Sequence, residues 1–115
     1  METREIPSEH WVEFFDQFSR DHVNWPATIE VLDRQTGPQR IADNLPLTGI
    51  SFDKAGTRPS SVEISAGDAP QSHITHVIDL PLHIRQANGT SGEIDLQFEP
   101  AQGPVTLIHL RGPIH

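Results

Sequence analysis

A chain of 115 residues is long enough for one domain and too short for two ordinary ones. It contains no cysteine, which excludes a disulfide scaffold, a thiolate zinc site, an iron–sulfur cluster and a cysteine nucleophile together. Eight Lys and Arg against sixteen Asp and Glu leave a net charge of -8, so the cationic footprint that nucleic acid or an anionic membrane surface requires is missing.

The opening residues, from Met1 to Pro7, hold no apolar run of the kind a secretory leader carries. No stretch approaches the roughly 20 apolar residues of a membrane-spanning helix. A cytoplasmic protein is the expectation. From Ser8 to about His22 the residues Trp11, Phe14, Phe15 and Phe18 fall at i, i+3, i+4 and i+7, the spacing of one helical face. Glu9, Glu13, Asp16, Gln17 and Arg20 fill the other side. Ser8 is placed to cap the N-terminus and Asn24 with Pro26 to stop the helix. An aromatic stripe at this spacing reads as core.

After Trp25 the pattern changes to period two. Residues 27–33 alternate weakly around Ile29 and Val31, and Thr36-Gly37-Pro38 turns the chain. A poorly defined segment at 39–43 reads as an edge strand, followed by 47–53 with Ile50 and Phe52 on one face. Further strands are expected at 61–66, 73–79, 82–87, 93–99 and 105–110. Leu80-Pro81 breaks or bulges its strand, because proline cannot donate to a ladder. Asn88-Gly89 is the best hairpin signal, since both residues tolerate a positive φ. Short loops leave no room for helical crossovers, so the strands pair mainly antiparallel. The fold expected is α+β: one domain over residues 1–115, its N-terminal amphipathic helix packed on a meander of about six or seven strands, curled or closed into a partly open barrel.

The opening Ile6-Pro7-Ser8-Glu9-His10-Trp11-Val12-Glu13-Phe14-Phe15-Asp16-Gln17-Phe18-Ser19 resembles a prokaryotic domain-of-unknown-function family of small single-domain proteins. In that family an Ile-Pro pair precedes a Trp-x-x-Phe-Phe-Asp-x-Phe-Ser helix. The likeness continues through Leu45-Pro46-Leu47-x-Gly49-Ile50 and His73-Ile74-Thr75-His76. It implies a small stand-alone domain from bacteria or archaea and brings no assigned activity or functional residues.

Seven histidines are the unusual residue count. In the alternation His76 shares a face with Ile74 and Ile78, and His109 shares one with Val105 and Leu107. If both faces are inward, two imidazoles converge, with Asp79 as a metal partner or as an aid to acid–base chemistry. His73 and His76 are three apart and so point to opposite faces of an extended strand. Trp25, beside the helix exit, with Arg85 or Arg111 as an anion partner, is the other candidate pocket wall. Neither a phosphate-binding glycine loop nor a G-x-S-x-G elbow is present. No cofactor is therefore expected. The reading that follows is a non-enzymatic domain acting through a protein partner or as a homodimer, with the edge near 39–43 as its contact. The alternative is a small-ligand or metal-binding barrel in which His76 and His109 carry hydrolase or isomerase chemistry, helped by Asp79 or Arg85.

Overall fold

In the computed structural model, which describes residues 2–54, 59–89 and 91–112, a 3-10 turn over Ser8–His10 leads into a helix, α1, over Trp11–Asp21. Eight strands accompany it: β1 (Glu2–Glu5), β2 (Pro26–Asp33), β3 (Gly37–Asp53), β4 (Ser61–Ala66), β5 (Ile74–Asp79), β6 (Pro81–Asn88), β7 (Ile94–Pro100) and β8 (Val105–Leu110). All the strand pairs are antiparallel, in the order β1-β6-β7-β8-β2-β3-β4-β5. The outermost strands, β1 and β5, do not pair, so the sheet is not closed. The expected class therefore holds in its coarse form, with more strands than the six or seven anticipated.

The single meander is corrected to two, β2–β5 and β6–β8, joined by the pairing of β8 with β2. The cause lies at Leu80. Its φ of 52° is a left-handed value that a branched side chain seldom adopts. Its N–H donates to the Ser60 carbonyl at 2.9 Å, and its own carbonyl accepts from the Ala101 N–H at 2.8 Å. The residue thus turns the chain from the β4–β5 pair to the β6–β7 pair, and a register shift follows between Pro81 and His83.

The segments expected at 39–43 and 47–53 are one strand of 17 residues, β3. Its first half pairs with β2 and its second half, from Leu47 onward, with β4. The change of partner falls where Asn44 takes a φ of 53° and Pro46 offers no N–H. Asn88-Gly89 does mark a hairpin, with Asn88 opposite Ile94. Its positive φ, however, sits on Gly92 at 82° rather than on either of those residues.

Strand alternation builds the core. Ile29, Leu47, Ile64, Ile84, Leu96, Phe98 and Ile108 are fully buried, and α1 adds Trp11, Phe15 and Phe18. Phe15 stacks on Phe98 with ring centres 5.9 Å apart. Burying such a side chain contributes about 1.5–3 kcal/mol relative to leaving it exposed. Trp11 Nε1 donates to the Ile6 carbonyl at 2.9 Å, and Ile6 N–H donates to the Ile84 carbonyl at 2.8 Å, which ties the start of α1 to β6. Ser8 makes no side-chain cap. The 3-10 turn replaces that cap, because the Ser8 carbonyl accepts the Trp11 N–H.

Candidate functional site

The residues that the sequence singles out lie in different places. His76 faces inward from β5, where its Nε2 shares a hydrogen bond of 3.0 Å with the buried Thr106 hydroxyl of β8. Burial there holds its imidazole below the ordinary value of 6.5, so the ring is uncharged at neutral pH. His109 faces the other way. On β8 the buried residues are Thr106, Ile108 and Leu110, so alternation turns His109 outward. There its Nδ1 meets Asp95 Oδ1 of β7 at 2.6 Å, with more than a third of each side chain exposed. The convergence required by the pocket reading is therefore not formed between these two rings.

Arg85 is on the outer face of β6, held by Glu5 at 3.6 Å and Glu99 at 3.0 Å. The same Glu5 pairs with His83 at 2.8 Å, and this hydrogen bond, more than the charges of His83 and Arg85, lowers its carboxyl below the usual value. Arg111 donates to Asn44 Oδ1 at 3.0 Å. Trp25 packs edge-on against His22, ring centres 4.6 Å apart, and His22 lies against Phe18 at 4.1 Å, which makes this tryptophan a wedge at the helix exit. Asp79 is exposed at the end of β5, on the opposite face from His76. Among the described residues no group of three or more His, Asp or Glu is placed to hold a metal ion.

What the strands do bring together is an edge. An antiparallel strand turns the N–H and C=O of successive residues alternately to its two sides. Ile50 of β3 turns both groups away from β4, toward Ser19 of α1. Its partner Ile64 therefore turns toward β5, where it faces His76. His76 spends its backbone groups on β4, and Thr75, Val77 and Asp79 turn theirs to the side of β5 on which no described strand lies. The side chains of these three residues are exposed, and Val77 is 50% accessible.

Besides the second half of β3, which α1 covers, and the start of β6 at Pro81–His83, which reaches beyond β1 and opens on a proline, three stretches of the described sheet have a strand on one side only, and two of them are blunted. The four residues of β1, Glu2-Thr3-Arg4-Glu5, are mostly charged and short. The first half of β3 carries Pro38, Arg40, Asp43 and the left-handed Asn44 along its length. Charge, proline and irregular backbone are the usual guards of an edge. In β5, Ile74-Thr75-His76-Val77-Ile78-Asp79 has no proline or lysine and a single charge at its end. Among the described residues, Val77, Leu80 and Leu82 are three of the four large apolar side chains that stand exposed, and they fall within one short run at this corner. The edge expected at 39–43 lies along the first half of β3, but the unguarded one is β5. Its signal in the sequence is a β-branched run without a guard residue.

A helix-capped, open antiparallel sheet is the class of protein that this geometry defines. The chain belongs to a family of unknown function, DUF5335, which matches residues 2–115. An uncharacterised protein of Aquifex aeolicus is 36% identical over 53 residues, covering 46% of this chain. The chain spans about half the length of that curated relative, 48%. The crystal structure of Bacillus subtilis YojF protein covers 100% of this chain and 99% of its own, with a TM-score of 0.55 and 12% identity. That likeness extends to the fold. No helix among the described residues is long and apolar enough to cross a membrane.

Proposed function

We propose that the protein is an interaction module that works by strand addition, taking an extended strand onto the open side of β5. One observation carries this reading: of the half-paired stretches of the described sheet that α1 does not cover, β5 alone has neither proline, lysine nor internal charge. Backbone N–H and C=O groups of Thr75, Val77 and Asp79 supply the pairing. Exposed Val77 supplies apolar area on the outer face, and exposed Leu80 and Leu82 follow it closely in the sequence. The neutral, Thr106-bonded His76 positions the strand from within rather than acting as an acid or base.

A photo-reactive residue placed at position 77, 39 or 4 in the full chain, followed by irradiation in cells, tests this. Covalent adducts are expected from position 77 and not from 39 or 4, which lie on the guarded edges. Adducts from 39 or 4 without any from 77 would overturn the reading.

A further inference from the structure

We propose that the strand added at β5 is β5 of a second copy of this chain, related by a two-fold axis through His76. The inference rests on the strand-addition reading and narrows it to one occupant and one register.

Opposed residues in an antiparallel pair must lie on the same face of the sheet. In β5 the even-numbered residues face inward and the odd-numbered outward, as the buried Ile78 and the exposed Thr75, Val77 and Asp79 establish. A two-fold through the midpoint of the strand, between His76 and Val77, would oppose inward residues to outward ones and is excluded. Two neighbouring registers remain, centred on His76 or on Val77.

The register centred on His76 is the better matched. It sets Ile74 against Ile78 of the second copy on the inner face, and Thr75 against Val77 on the outer. At each end it sets His73 against Asp79, opposite charges whenever the imidazole is protonated, and both side chains are exposed. His73 has an extended backbone, φ -89° and ψ 135°, so it prolongs β5 by one residue. Every outward N–H and C=O from His73 to Asp79 then finds a partner. The register centred on Val77 instead sets His73 against Pro81, which has no N–H to give. It also leaves Asp79 facing Thr75, without a charge partner. Because the chain carries a net charge of -8, two copies repel at long range, and a contact between them needs local complementarity of this kind.

Complementary charge substitutions in the purified full-length protein provide the test, read by sedimentation velocity over a concentration series. His73→Glu alone would set two carboxylates against each other at both ends of a dimer, the introduced one facing Asp79. Asp79→Lys alone would set the introduced ammonium against His73 at both ends. Each variant is expected to dimerise about tenfold more weakly than the parent. Their equimolar mixture joins the introduced carboxylate to the introduced ammonium at one end and keeps the native His73–Asp79 pair at the other. It is expected to recover the parent's dimer. Circular dichroism checks that both exposed substitutions leave the fold intact. A parent that stays monomeric at every concentration, while position 77 still yields adducts to other proteins in cells, would overturn the second copy and leave strand addition standing. Dimerisation of both variants at the parent's strength would overturn the register. Monomers together with no adducts from position 77 would overturn both readings.

Discussion

The second half of β3 and the whole of β5 are strands with β4 on one side and no strand on the other, yet they end very differently. Beside β3, Ser19 Oγ donates to the Ile50 carbonyl and accepts the Ile50 N–H, each at 2.9 Å. Asn24 N–H donates to the Leu47 carbonyl, and Leu47 N–H donates to the Trp25 carbonyl. A helix and its exit thus stand in for the missing strand. Beside β5 nothing comparable occurs among the described residues. The difference shows that this fold can seal an edge with its own side chains, so the open edge at β5 is not a shortage of means.

Substitutions that act on the sealed edge should weaken the monomer, and those on the open edge should spare it. The largest effect is expected from Phe15→Ala, which removes the ring that stacks on Phe98 and holds α1 against the sheet. It should cost about 3–5 kcal/mol in urea unfolding. A loss near that of a surface substitution would mean that the helix is not anchored there. Ser19→Ala leaves the Ile50 N–H and C=O without their partner. A cost of about 1–3 kcal/mol is expected, together with faster amide exchange at Ile50. Unchanged exchange at Ile50 would erase the distinction between the two edges.

His76 sharpens the comparison through pH. Its folded-state pKa lies below the ordinary 6.5, so the unfolded chain binds the proton more readily. Stability should therefore be complete above that value and decline as the pH falls below it toward the folded value. His76→Gln should flatten this part of the urea-midpoint profile between about pH 7.5 and about pH 5.5, where carboxylates stay ionised. At lower pH, Asp33 and Glu5 act in addition. Both have lowered folded pKa values, Asp33 chiefly through the Gln35 and Thr36 amides and Glu5 chiefly through His83. Each contributes stability above its unfolded value that is lost as the pH falls through the folded one. A variant profile that still bends like the parent's across this window would remove His76 as the cause.

The smallest expected effect on the monomer is that of Val77→Lys. The side chain is half exposed, so monomer stability should stay within about 0.5 kcal/mol of the parent. Dimerisation should nonetheless fall, because a lysine on an edge is a guard. Loss of the fold would show instead that Val77 belongs to the core.

Much of the fold is legible in the residues. Trp11, Phe15 and Phe18 declare a buried helical face by spacing, and Ile94, Leu96 and Phe98 declare a strand by alternation. The partner change within β3 is not legible, because it depends on which strands reach Asn44 and Pro46 from either side. The Leu80 corner is visible only as a proline that interrupts a strand; the left-handed φ comes from the hydrogen bonds to Ser60 and Ala101, residues distant in sequence. The histidines illustrate the same limit. Alternation groups His109 correctly with Val105 and Leu107, but which of the two faces is inward is decided by Thr106, Ile108 and Leu110 meeting the rest of the core. The site itself is readable in part: Ile74-Thr75-His76-Val77-Ile78 is an unguarded run, while its position at the end of the sheet order follows from the crossing at Leu80.

Residue-resolved amide exchange at low and high protein concentration tests the open edge most directly. The Thr75, Val77 and Asp79 amides should exchange fast in dilute solution and slowly in concentrated solution, while the Ile50 amide, sealed by Ser19, should stay slow in both. Equal exchange of the three β5 amides at both concentrations, with slowing instead along β1 or the first half of β3, would contradict the assignment of β5 as the pairing edge.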